Sequence, residues 1–362
     1  MKLEETIKTE YANIDKSTIQ ISKTEDLECL SLFFSLYKKI MHHIVRSETP
    51  PESSIHLIKN WMKKEIKNKN FTYAKEDVEK FSFALAEIQQ DFPKNTLSTR
   101  FSIYTGLFLS ALINIHHEQT KMPEEYTIHT SQFDSQLEYL CYQNTANVRV
   151  IGSVGDSFCA EMICGNVHLE GNARDRACEY MIDGTVQIDG DVADYLCLKM
   201  EEGKITVNGS TGSFPAQDMN RGNVHIYGNT IGTCREMKGG TVIVEGNDTD
   251  NCAWRMSGGT LLIKGNVGER IGVFAQKCYI HVARNAGKDA GLGMISGILR
   301  IDGKVGINAG NYLDGGNIYI NGDCESIAAS AKKGRIYVKG KQVFPYMETD
   351  WISQMYHCMF KW

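Results

Sequence analysis

The sequence predicts an α+β chain of two domains, an N-terminal α-helical bundle followed by a parallel β-helix of about eleven coils. Three observations carry this. Of the 33 glycines, only Gly106 precedes position 150, so the chain changes character abruptly there. Beyond that border, glycine recurs at Gly152, Gly171, Gly190, Gly209, Gly228, Gly246, Gly265, Gly303, Gly322 and Gly340, in steps of 19 residues twice shortened to 18, with Arg284 in one anchor place. Self-similarity at a fixed period marks a solenoid. Finally, the residues two and four before each anchor are all branched and apolar, as in Val148/Val150, Val224/Ile226 and Ile318/Ile320, and mostly polar residues separate them. That alternation of period two is a strand with one buried face, so each coil adds one strand.

The helical part is assigned to 1–122. Leu27, Leu30, Phe33, Phe34, Tyr37, Ile40 and Met41 fall on one helical stripe. Pro50 and Pro51 start a second helix through Ile55, Ile58, Trp61 and Met62. A third runs over 77–90 with Val78, Phe81, Phe83, Ala84 and Leu85, and a fourth over 99–117. The longest apolar run, 101–115, is too short and too interrupted to cross a bilayer and reads as a buried helix. Residues 123–146 form a connector whose Phe133, Leu137, Leu140 and Cys141 cover the first coil, because parallel stacks need caps. The β-helix takes 147–340. Segment 341–362, with Trp351, Met355, Tyr356, Met359, Phe360 and Trp362, caps the last coil, or alternatively forms a partner-binding helix.

Within the coils, Met162, Met181, Met200, Met219, Met237, Met256 and Met294 stand nine residues before the anchors, with Leu313 continuing the column. They read as core filling by a flexible side chain rather than as a cofactor box. Three places earlier stand small residues: Cys159, Cys178, Cys197, Ala216, Cys234, Ala253, Gly272, Gly291, Gly310 and Ala328. Coils stack about 4.8 Å apart, which brings Cys159, Cys178 and Cys197 near enough for thiolate ligation. Ala and Gly fill the same column without ligand chemistry, so packing is the reading adopted. A second glycine per repeat, from Gly165 to Gly334, supplies the positive φ of a tight corner. Asn172, Asn229, Asn247 and Asn266 follow their anchors, where they turn the chain and ladder between coils.

The stretches GNVGERIG with GKDAGLGMISGILRIDG, and MKGGTVIVEGN with MSGGTLLIKGN, resemble the GXGXG repeat domain. That domain ends the glutamate synthase large subunit and forms the C subunit of formylmethanofuran dehydrogenase. The resemblance covers about 147–340 and implies a right-handed β-helix that holds catalytic domains or subunits together without catalysing anything itself. The chain departs from those families in having no N-terminal nucleophilic cysteine, no flavin-binding barrel and no compact cysteine cluster for iron and sulfur. Left-handed hexapeptide acyltransferases build coils of six-residue steps; the period here is 19 and the apolar columns do not recur at six, which counts against that class.

A formal net charge of −5 gives no overall reason to bind nucleic acid or an anionic membrane. Eleven cysteines without a CxxC pair suit a reducing, cytoplasmic setting, and the first residues show no apolar leader, although export without a cleaved signal leaves no mark. His42–His43 and His116–His117 have no further ligand placed to complete a metal site, so no metal or other cofactor is expected. An active site between the bundle and the first coils, near Cys159 and Cys164, is a third possibility. The outward strand column has an apolar centre at Ile243 and Leu262. Together with Tyr227, His281, Arg284 and Tyr319 these form a candidate protein-partner interface. The 274–288 coil, with its corner glycine replaced near Lys277–Cys278 and its anchor by Arg284, is the most irregular. The expected role is a non-catalytic scaffold or protein-interaction module. The alternative is an accessory subunit of a glutamate synthase-like or formylmethanofuran dehydrogenase-like complex.

Overall fold

The computed structural model describes residues 29–39, 51–68, 73–88 and 97–345. Within them, helix α1 covers 29–39, α2 Pro51–Asn68, α3 Lys75–Ile88 and α4 Leu97–Thr120. The stripe of α1 is buried as its spacing requires, with Phe33, Phe34 and Tyr37 setting their rings against Phe81 of α3 at 5.2, 5.0 and 6.5 Å. Residues 101–116 of α4 are buried on every side, including its polar Ser102, Thr105, Ser110, Asn114 and His116. No helix among the described residues is long and apolar enough to cross a membrane. Ile40, Met41, His42, His43 and the aromatic segment from Trp351 to Trp362 lie outside the described residues.

The rest is a parallel β-solenoid of about eleven turns. Twelve strands, from β1 (Glu125–His129) and β2 (Asn147–Ile151) to β12 (Lys333–Val338), lie side by side in chain order, all parallel. Register steps by one repeat each time: Val148 pairs with Val167, Val167 with Val186, and Val224 with Val242 across the shortened coil. Both inner columns are buried throughout except at Val338. Twelve strands about 4.8 Å apart span roughly 50 Å. The sheet starts upstream of the first anchor glycine, because β1 lies within 123–146 and pairs with β2 at Glu125↔Asn147. That opening coil has neither an anchor glycine nor a methionine, the two marks by which the others are recognised in sequence.

Methionine and corner glycine turn out to be one device. The methyl carbon of Met162 lies 2.7 Å from where a Cβ on Gly184 would stand, and Met181 stands 2.9 Å from that of Gly203. Gly184 also has φ +110°, a backbone few side chains tolerate. Met200, Met219 and Met237 stand likewise against Gly222, Gly240 and Gly259, so these five methionines fill the space beneath the next coil's corner. The asparagine ladder is real and longer than expected. Backbone N–H groups of Asp191, Ser210, Asn229, Asn247, Asn266, Asn285 and Lys304 each donate to the side-chain oxygen of the residue one coil earlier, at 2.7–3.2 Å.

Opposite the sheet, three alternate residues per coil take left-handed φ, such as Arg176, Cys178 and Tyr180, or Asn251, Ala253 and Arg255. The central one donates back to the preceding coil and the outer two forward, as in Cys178 N to Phe158 O (2.7 Å) against Tyr180 N to Leu198 O (2.8 Å). This is a second ladder, and it holds non-glycine residues in a conformation that costs roughly 1–2 kcal/mol each. The small column is the central position. Its size is matched across the interior, since Ile318 reaches within 2.5 Å of the place a Cβ on Gly291 would take.

Both ends are covered. Helix α4 crosses the open first coil with Ser102, Gly106, Ser110 and Asn114, spaced four apart. Ser110 Oγ donates to Tyr139 O (3.2 Å), Asn114 Nδ2 to Tyr142 O (3.3 Å) and Gln143 O (3.2 Å), and Ser102 Oγ to Glu138 (2.8 Å). Gly106 sits where a Cβ would fall 2.0 Å from Glu138 O, which explains the one early glycine. Helix α3 guards the edge of β1, with Thr127 N donating to Glu79 (2.8 Å) and Lys75 Nζ to Glu125 O (3.3 Å). At the far end β13 (Lys341–Phe344) folds back antiparallel on β12.

The junction is expected to respond to pH. His116, bonded through Nδ1 to Tyr126 Oη at 2.6 Å, and His129, against Phe83 at 4.9 Å, are both held below the usual histidine range by burial, His129 also by the charge of Arg149. The folded state then binds fewer protons than the unfolded chain. Stability is complete above about pH 6.5 and falls as pH drops through that value toward the folded pKa values. Glu79, raised by burial, acts in the opposite sense when pH falls through the carboxylate range. The expected result is a lower melting temperature at about pH 5.5 than at about pH 7.5, with a smaller difference in His116→Gln.

Candidate functional site

The outward column of the sheet is continuous. Cross-strand pairing places His225 beside Ile243, Ile243 beside Leu262, Leu262 beside His281, His281 beside Arg300, Arg300 beside Tyr319 and Tyr319 beside Tyr337. Ile243, Leu262 and His281 thus sit on three neighbouring strands, β7 (Thr241–Val244), β8 (Thr260–Ile263) and β9 (Tyr279–Val282). Tyr319 lies two strands further on and stacks on Tyr337 at 4.9 Å. Tyr227, half exposed, belongs to the next outward column and stacks on His225 at 4.3 Å. Arg284 is exposed in the bend after β9 and is not part of the column.

Charge is paired along this face. His168–Asp189, His225–Glu245 and His281–Asp302 each close at 2.7 Å, and Lys264 and Arg300 join the second and third pairs. Bonds from Gln187 and His168 hold the Asp189 carboxyl below its usual range, and bonds from Lys264 and His225 do the same for Glu245. Burial acts upward on Asp302, yet His281, Arg300 and Asn321 together keep it low. An apolar centre flanked by hydrogen-bonded histidine–carboxylate pairs is the make-up of a surface that a protein can cover, with the polar pairs setting register and the centre supplying area.

The irregular coil is regular in space. Tyr279 pairs with Thr260 on one side and Ile298 on the other, so Cys278 takes the corner place of Gly259 and Gly297, and the positive φ falls one residue earlier, on Lys277 (φ +50°). Asn285, after Arg284, keeps its place in the ladder.

The cysteine column is interior. Cys159, Cys178 and Cys197 are fully buried. Burial, and then the neighbouring Cys141 and Cys178, push the Cys159 thiol well above its usual range; burial raises Cys197 too. Thiols so disposed are poor nucleophiles and poor ligands. Cys164 is exposed, with its Sγ 3.7 Å from Thr145 O. Among the described residues no group of three or more His, Cys, Asp or Glu side chains is arranged to hold a metal ion.

No protein-family model matches the chain, and no curated protein is significantly similar to it.

Two hollows escaped the sequence reading. On the left-handed face a groove of about 460 Å³ runs past Asp218, Glu236, Lys238, Arg255 and Phe274. Beside it Arg235 is held between Phe214 (5.4 Å) and Trp254 (4.5 Å), and Arg255 lies over the same Trp254 at 4.9 Å. A smaller hollow of about 250 Å³ opens where α2 meets the first coils. The available signal was the identity of the residues flanking the methionine column, which vary from coil to coil while the column itself does not.

Proposed function

We propose that the chain is a non-catalytic scaffold or protein-interaction module, a right-handed β-helix of the GXGXG type found in glutamate synthase and formylmethanofuran dehydrogenase. The observation that carries this reading is the outward strand column, in which Ile243 and Leu262 stand in register between His225–Glu245 and His281–Asp302. Tyr227 and Tyr319 extend that patch. The two capped ends support a rod that presents its side rather than its tips. Eleven cysteines without a CxxC pair support a reducing, cytoplasmic setting for this role.

The test is capture of partners from the native cell with the intact chain and with an Ile243→Glu/Leu262→Glu variant of unchanged melting temperature. A stoichiometric protein that the wild type holds and the variant loses is the expected outcome. Equal recovery by both chains sinks the assignment of this face. If the recovered protein carries flavin, iron–sulfur or another metal centre, the chain is instead the accessory subunit of an enzyme complex, the reading the sequence resemblance favours second.

A further inference from the structure

The outward strand face reads almost the same from either end. Its central column runs His225, Ile243, Leu262 and His281 on β6 (Asn223–Ile226), β7, β8 and β9. Two residues further along each strand a second outward column runs Asn208, Tyr227, Glu245, Lys264, Ala283 and Asp302, aligned coil by coil through the backbone ladder. Consider a two-fold axis lying between two such faces, parallel to the strands and level with the gap between β7 and β8. It sets β7 against β8 of a second copy, β6 against its β9, and so on out to β3 (Asn166–Glu170) against its β12.

The residues so opposed match. Ile243 meets the second copy's Leu262, and His225, bonded to Glu245, meets its His281, bonded to Asp302. The half-exposed ring of Tyr227 meets Ala283, the smallest side chain of its column and itself exposed. Asp302 meets the neutral Asn208. Glu245 meets Lys264; since these two already lie 2.7 Å apart within one chain, the dimer closes a ring of four alternating charges around the axis. Charge also rejects the neighbouring registers. With the axis on β7, Glu245 faces Glu245, and with it on β8, Lys264 faces Lys264. One strand away on either side of the matched position, Asp302 faces Glu245 or Glu170. Like charges set directly opposite across an interface are strongly unfavourable.

We propose that the chain forms a two-fold dimer in which the strand faces of two antiparallel rods pack together about this axis. The proposal rests on the reading of this face as the working surface and names a second copy of the chain as what covers it. The strands of the two sheets run the same way, which is the aligned class of sheet packing. Ten strands about 4.8 Å apart, each presenting about five residues of about 3.3 Å, offer roughly 800 Å² per copy, the size of an ordinary stable interface.

Sedimentation equilibrium of the intact chain between about 1 µM and about 100 µM reads the association. The expected result is a reversible rise from 40.6 kDa to twice that mass. Glu245→Lys and Lys264→Glu each place four like charges around the axis and should weaken the dimer by about tenfold or more, with the melting temperature of the monomer little changed. Mixed in equal amounts, the two variants again oppose unlike charges and should form a mixed dimer, a rescue that an interface elsewhere on the molecule does not give. A chain that stays monomeric over the whole range, a dimer that both single variants keep at wild-type strength, or variants that fail to recover on mixing each overturns the proposal. Failure of the face itself is read separately: a foreign protein captured by the wild type and lost by Ile243→Glu/Leu262→Glu keeps the strand face as the working surface even where self-pairing has failed.

Discussion

Replacing Ile226 by Asp is expected to unfold the middle coils of the solenoid. Ile226 is fully buried and pairs with Val207 on one side and Val244 on the other, so its side chain meets both neighbours in the same inner column. The substitution removes roughly 1.5–3 kcal/mol of apolar burial and adds about several kcal/mol for an unpaired carboxylate in the interior. That sum is comparable with the whole stability of an ordinary domain, about 5–15 kcal/mol. Because each coil is held by its neighbours, the damage should spread beyond one turn. Circular dichroism against temperature reads this directly, and an unchanged melting temperature would sink the strand register.

The second large effect centres on Asp248, a buried acid in a column that also holds Ala173, Val192, Thr211, Val267, Ala286, Val305 and Cys324, none of them charged at neutral pH. Its presence follows from the shortened coil. In the other turns the outer left-handed residue donates forward to the next coil, as Tyr195 N does to Ser213 O and Asn251 N to Glu269 O. In the coil between Gly228 and Gly246 a residue is missing ahead of Ile231, which pairs with Ser213. Gly232 N bonds instead to the Asp248 carboxylate at 2.8 Å, with Thr233 N on its other oxygen at 3.2 Å. Burial, and after it this charge, pushes the Cys234 and Cys252 thiols well above their usual range. Asp248→Val leaves two buried N–H groups unpaired, at about 1–3 kcal/mol each. The loss should shrink when one residue is also inserted after Asn229, restoring the full repeat, while the insertion alone, with Asp248 retained, should not stabilise. Additive effects of the two changes on the melting temperature would show that Asp248 does not stand in for the missing residue.

How much of this was readable before the structure depends on what each feature leaves in the residue types. The inner strand columns are legible because burial admits only Val, Ile or Leu and the period never drifts by more than one. The corner is legible because φ near +100° selects glycine. The left-handed ladder is not, since Cys, Ala, Arg, Tyr, Lys, Asp and Glu all occupy its positive-φ places. There, hydrogen bonds to two neighbouring coils override the local preference that would have written glycine in the sequence. Strand β1 was hidden by its anchorless coil, although Tyr126 and Ile128 alternate as any inner pair does. Of the candidate surface, the Ile243–Leu262–His281 run was fixed by the period alone. The carboxylate partners of the three histidines, and the separation of Arg284 from the column, needed the third dimension. So did the hollow where α2 meets the first coils, whose lining comes from residues 18 or 19 apart in sequence that lie side by side.

The central claim is that the outward, partly exposed strand face is the working surface, and hydroxyl-radical footprinting of side chains tests it most directly. The chain is footprinted alone and in the complex recovered from its native cell. The account predicts protection of Tyr227, Ile243, Leu262, His281 and Tyr319 on binding, with Trp254, Phe274 and Tyr312 on the opposite face unchanged. Protection confined to Trp254, Phe274 and Tyr312 would contradict it and move the interaction to the left-handed face.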